Sequence, residues 1–169
     1  MASKYTLIAS STVGSGGSAT ISFTSIPATY TDLKVVANAR TDRASNNDWV
    51  KIGFNGSTSS FTYREIEGDG STVGSYTGSG QLAFFATASS STASTFGNAE
   101  VYIPNYTGAN YKSYSVDTVT ENNGTTAVAS MNAGLWSNTA AITSIELTPN
   151  LGTNFVQYST AYLYGISNS

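Results

Sequence analysis

Apolar and polar residues alternate along this chain with a period of two, and Gly, Asn, Asp or Pro separates one alternating run from the next. A two-residue period places successive side chains on opposite faces of an extended strand. In "SATISFT", Ala19, Ile21 and Phe23 share a face; in "DLKVVANAR", Leu33, Val35, Ala37 and Ala39 do so, with Lys34, Asn38 and Arg40 opposite. "DWVKIGFNGS" sets Val50, Ile52 and Phe54 against Lys51, Gly53 and Asn55. It then enters Asn55-Gly56, the strongest local hairpin signal in the chain, with "SFTYREI" as the returning strand. "KYTLIA", "LAFFATA", "NAEVYIPN", "NYKSYSVDTVT", "TTAVASMNAGLWS" and "AITSIELT" read as further strands. "SIPATYTD" reads as a turn, because Pro27 has no N–H to donate and disfavours helix at Ile26. "EGDGSTVGSYTGSGQ" reads as a long polar loop. No segment holds a helical apolar stripe over three turns. The pattern predicts an all-β protein, a single-domain antiparallel β-sandwich, jelly-roll-like, of roughly ten strands. Residues 1–18 are expected to form an N-terminal strand and a flexible Gly/Ser segment that serves as an arm, and residues 19–169 the sandwich.

The last run, "NFVQYSTAYLYGI", breaks the rule that a half-buried strand has one wet face. Val156, Tyr158, Tyr162, Tyr164 and Ile166 point one way, and Phe155, Ala161 and Leu163 the other. Either the strand is central in one chain and a loop or the second sheet covers its other face, or that face meets another subunit. Each buried aromatic or aliphatic side chain contributes about 1.5–3 kcal/mol before entropic costs. Tyrosine, apolar with a polar tip, is enriched at interfaces. Tyr158, Tyr162 and Tyr164 are therefore the candidate subunit interface, and a homo-oligomer, with a trimer as its working symmetry, is the expected assembly.

Composition narrows the function. The chain has 169 residues, of which only 10% are charged, against about 25% in ordinary soluble domains. Its surface is held in water by hydroxyls and amides. A net charge of −3 and seven Lys and Arg residues, scattered apart from Arg40 and Arg43, argue against a nucleic-acid partner. There is no cysteine, hence no disulfide framework or thiolate site. No segment is long and apolar enough to span a bilayer, and no secretory h-region precedes the first strand, so no membrane partner is expected and the protein is expected to begin at or near Met1. Asn55-Gly-Ser, Asn105-Tyr-Thr and Asn123-Gly-Thr match the glycosylation triplet but read as coincidences of composition.

The absence of histidine excludes Ser-His and Cys-His nucleophiles and imidazole-ligated zinc. Paired carboxylates for glycoside hydrolysis are not excluded by composition. The one acidic cluster is "EIEGDG". It opens like a calcium loop, but the position where that loop needs a bidentate Glu is Tyr76. Glu65 and Glu67 are accordingly read as lining the wet face of an edge strand. The glycines of "VGSGGS" and "YTGSGQ" lack the Lys-Ser/Thr of a phosphate loop. No catalytic, metal or cofactor residue is assigned. Trp49, beside Asn46, Asn47 and Asp48, is the candidate glycan contact, with Tyr63, Tyr76 and Trp136 as further groove-lining rings. The alternative is that both Trp rings close the open ends of the core.

Several stretches together carry a resemblance: "FTSIPATYTDLKVVANARTDR", "FNGSTSSFTYRE", "EVYIPNYTGANYKSYSVD", "AGLWSNTAAITSIELT" and "FVQYSTAYLYGI". Over nearly its whole length the chain resembles a group of small virion-associated proteins of tailed, especially marine, bacteriophages. The resemblance implies a structural protein on the exterior of the particle, without separating capsid from tail and without any catalytic motif. The expectation is a non-enzymatic capsid decoration (cement) protein that binds the major capsid protein or other virion proteins. The alternative is a tail-fibre or receptor-binding module that contacts host surface glycan.

Overall fold

The computed structural model describes residues 4–124 and 126–167. The first three residues of the expected arm and the Thr of the third glycosylation triplet lie outside the described residues. The described residues form a two-layer antiparallel β-sandwich of twelve strands: β1 (Lys4–Thr12), β2 (Ile21–Phe23), β3 (Asp32–Ala39), β4 (Asn47–Phe54), β5 (Phe61–Gly68), β6 (Val73–Ser79), β7 (Leu82–Thr87), β8 (Gly97–Ile103), β9 (Lys112–Val119), β10 (Ala129–Trp136), β11 (Ile145–Pro149) and β12 (Thr160–Ser167). Eight strands form one sheet in the order β1-β12-β3-β8-β9-β10-β5-β6, and four form the other in the order β2-β11-β4-β7. This eight-plus-four division carries the expected sandwich, but its strand order does not by itself make a jelly roll.

Period-two alternation becomes burial. Along β8 and β9 every second residue is buried. Val35, Val101 and Leu163 of the large sheet meet Val50, Ile52, Phe84 and Leu147 of the small one. Trp136, 1% exposed, closes one end of the core. It stacks on Phe61 with ring centroids 6.0 Å apart and meets Phe54 edge-on at 5.6 Å. Tyrosine rings fill what glycines leave empty: Tyr114 lies across its cross-strand neighbour Gly134, and Tyr63 across Gly78.

Four local expectations change. Asn55 and Gly56 do take positive φ (54° and 69°), as a tight turn requires. The turn makes no hairpin, however, because β4 pairs in the small sheet and β5 in the large one. Asn55 instead ties its side chain to the segment before β11, donating to Ala141 O (2.8 Å) and accepting from Thr143 N (2.8 Å) and Ser144 N (3.1 Å). The "polar loop" after Glu67 contains β6, so β5 is not an edge strand. The described part of the expected arm is laid down on its own chain: β1 pairs with β12, and Ser18 bridges Phe155. The last strand begins only at Thr160, since Tyr158 has φ +73° and stands in the preceding turn.

Candidate functional site

The outer face of the eight-stranded sheet is the candidate site. Cross-strand register defines it: Tyr5 and Leu7 lie beside Ile166 and Tyr164, Tyr164 beside Lys34, Lys34 beside Tyr102, Glu100 beside Asp117, Asp117 beside Met131, and Met131 beside Ile66. Tyr5, Leu7, Ile66, Val73, Tyr102, Met131 and Tyr162 are all exposed here, Val73 at 83% and Met131 at 70%. A water-facing sheet ordinarily shows polar side chains on this side.

The apolar groups form two patches. Tyr5, Leu7, Tyr162 and Tyr102 lie toward β1; Ile66, Val73 and Met131, with Ala129 and Ala133 between, lie toward β6. A charged band separates them. In it Lys34 pairs with Glu100 at 2.5 Å and sits 5.9 Å from the Tyr5 ring centroid. Tyr102 donates to Asp32 Oδ2 at 2.9 Å. The face is dented: a hollow of about 630 Å³ is lined by Arg64, Ile66, Thr77, Ser115, Met131 and Ala133. Another of about 350 Å³ lies between Tyr5, Lys34, Glu100, Tyr102 and Met131.

The residues singled out in the sequence separate. Tyr162 (36% exposed) and half-buried Tyr164 belong to the first patch, while Tyr158 is exposed in its turn, off the strand. Ala161 and Leu163 on the other face are fully buried, so the two apolar faces of the last strand have different roles. At the glycan candidate, Trp49 is half-buried, with its ring centroid 4.1 Å from Phe85 and 6.2 Å from Tyr63. The main-chain carbonyls of Asn46 and Asn47 accept from Ala88 N and Arg43 Nη1. Asp48 is removed from any surface role: it is fully buried, and its carboxylate accepts from Leu151 N (3.2 Å) and Gly152 N (2.9 Å). Trp136 is core.

The acids of "EIEGDG" also differ from expectation. Asp69 accepts from the N–H and hydroxyl groups of Ser71 and Thr72, which hold its carboxyl well below the usual range. Glu65 is 3% exposed on the inner face. Burial first, and the charge of Glu67 second, push its pKa up to about 7, while Ser130 pulls weakly the other way. Asn132 stands opposite Glu65 and donates to Leu82 O and Ala83 O, both at 3.2 Å. Glu65 Oε1, Asn132 Oδ1 and Ser130 Oγ find no hydrogen-bond partner. Sequence reasoning missed this cluster. Its only sequence signal is that Glu65 shares strand parity with Phe61.

Two cations are structural. Arg40 donates to the carbonyls of Ser89 (3.3 Å), Ser91 (3.0 Å), Thr92 (2.8 Å) and Thr95 (2.9 Å), and its burial lowers its pKa. Lys112 donates to Gly108 O (2.6 Å) and Asn110 O (2.5 Å), with its pKa lowered for the same reason. Among the described residues no three Asp or Glu side chains are grouped closely enough to share a metal ion. Comparison with family models, curated proteins and solved structures finds no match to this chain.

Proposed function

We propose that this chain is a non-enzymatic virion structural protein of a tailed bacteriophage: a decoration protein on the head exterior that docks on the major capsid protein. The observation that carries the reading is the outer face of the large sheet, broad and studded with exposed Tyr, Leu, Ile, Val and Met on either side of its charged band. Apolar patches of this kind mark protein interaction sites. The β1-β12-β3-β8 patch is the capsid-facing end in this proposal. Repeated over a symmetric lattice, bridging contacts between neighbouring capsomers oppose expansion of the shell under internal DNA pressure.

Binding of the purified protein to heads stripped of it tests the reading. Burial of Leu7 and Tyr162 contributes about 1.5–3 kcal/mol each, so L7E/Y162E is expected to weaken head binding at least about tenfold with an unchanged melting temperature. Equal binding by that variant removes the patch from the account. The tail-fibre reading is favoured by one observation, the half-exposed Trp49 ring on Phe85 beside Tyr63. If it holds, Trp49→Ala abolishes binding to host glycan while the chain stays folded.

A further inference from the structure

Four sheet edges exist in this sandwich, and three are guarded against pairing with another chain. β1 carries Lys4 and a bulge between Leu7 and Ala9. β2 is three residues long. The free edge of β7 is capped from the large sheet, where Thr118 Oγ1 donates to Phe85 O (3.0 Å) and Asn132 Nδ2 to Leu82 O and Ala83 O. Short length, charge, bulges and covering groups are the usual devices by which edges avoid each other. The fourth edge, β6, has none of them. Its seven residues, VGSYTGS, hold no charge and no proline, and they pair with β5 without a register shift. Among the described residues no backbone or side-chain hydrogen bond reaches its outer side.

The strand is also close to a palindrome about Tyr76. An antiparallel copy centred there sets Tyr76 against Tyr76, Ser75 against Thr77, Gly74 against Gly78 and Val73 against Ser79. Cross-strand aromatic and Ser/Thr pairs are favourable, and glycines opposite each other leave room for the rings. The Tyr76 ring already lies over Gly74 and is 50% exposed, on the inner side where the four-stranded sheet no longer covers it. The acids on β5 would stand three strand spacings from their symmetry mates, too far to oppose the pairing.

We propose that β6 pairs antiparallel with β6 of a second copy of this chain, joining two eight-stranded sheets into one continuous sheet across a two-fold axis. The pairing satisfies about six to eight backbone groups of each copy that water otherwise holds, and because it is two-fold it closes at a dimer. It brings the Ile66–Val73–Met131 patches of the two copies together along one face. The inference is independent of the virion reading, since it concerns the purified chain alone.

The register makes the test specific. Ser75 and Thr77 are exposed on the outer face and oppose each other across the axis, so Ser75→Glu with Thr77→Glu creates two like-charge pairs in the dimer, while Thr77→Glu gains Arg64 as a neighbour within the chain. Ser75→Lys with Thr77→Glu creates two opposite-charge pairs in the same places. In sedimentation equilibrium over micromolar to millimolar concentrations, the wild type is expected at multiples of two chains. S75E/T77E is expected to raise the dissociation constant at least about tenfold and halve the mass. S75K/T77E is expected to restore it, all three giving the same far-ultraviolet circular dichroism. A monomeric wild type, or an assembly whose mass is the same in S75E/T77E, overturns the proposal.

Discussion

Glu65 offers the sharpest test of how this sandwich handles a buried acid. Its carboxyl is on the inner face, opposite Asn132, diagonal to Ser130, and flanked by Glu67 on its own strand and Tyr76 on β6; Arg64 points to the other face. Ionised, Glu65 has no cation and Asn132 Oδ1 has no donor. Protonated, it has a hydrogen to give to that oxygen. The proton is thus bound more tightly in the folded chain than in the unfolded one. A group of this sign contributes stability that is fully present below the unfolded pKa of 4.5 and is lost as pH rises through about 7. At about 1.4 kcal/mol per tenfold change in proton affinity, the full loss is about 3 kcal/mol. The window is unusually clean, because the chain has no histidine to titrate within it. Glu65→Gln keeps the shape, supplies an N–H to Asn132 and cannot ionise. Urea denaturation between pH 5 and pH 8.5 should show the wild type losing most of that energy and E65Q losing less than a third as much. The same loss in E65Q, or a flat wild type, refutes the reasoning.

Other perturbations follow from the same structure. An ideal Cβ on Gly134 would sit 2.0 Å from Tyr114 Cζ, and the Tyr114 ring is 2% exposed and edge-on to Phe54. Overpacking of about 1–3 kcal/mol outweighs the backbone gain of about 0.5–1 kcal/mol from replacing Gly, so Gly134→Ala should destabilise, and in a Tyr114→Leu background the penalty should vanish; additive effects would sink this account. Arg40→Lys leaves one point charge where a fork reaches four carbonyls. It should cost about 2–3 kcal/mol and speed proteolysis between residues 88 and 96; an unchanged cleavage rate would count against it. Asn55→Ala loses three hydrogen bonds to the backbone and strains φ, for about 2–3 kcal/mol, while Asn55→Gly should recover the strain alone, about 1 kcal/mol of it; equal melting temperatures for the two variants would deny the strain.

The sandwich was legible because alternation survives burial in strands such as "DLKVVANAR" and "EVYI", where each apolar side chain has a facing layer. β6 was not, because its strand character rests on tyrosine rings lying over glycines on the same and neighbouring strands, which no window of one strand contains. Asn55-Gly56 announced its own φ values correctly. Its partner was misjudged because a turn fixes local geometry, whereas the sheet a chain enters next depends on distant contacts such as Asn55 with residues 141–144. In "FTYREIE" both faces carry a mixture, and the burial of Phe61 against Trp136 decides that Glu65 goes inside. Asp48 looked like a surface acid beside Asn46 and Asn47; its burial rests on the backbone N–H groups of Leu151 and Gly152, about a hundred residues on, together with the guanidinium of Arg43 at 3.7 Å. Tyr162 and Tyr164 were placed by parity; Tyr158 fell outside it because its φ ends the period.

The most direct test of the account as a whole is the copy number of this protein in purified virions, counted by quantitative mass spectrometry against the major capsid protein. Hundreds of copies, on the order of the capsid lattice sites, are what symmetric decoration of the head predicts. A count of a few to about two dozen would place the protein on the tail or a vertex instead, and its absence from the particle would contradict a virion role outright.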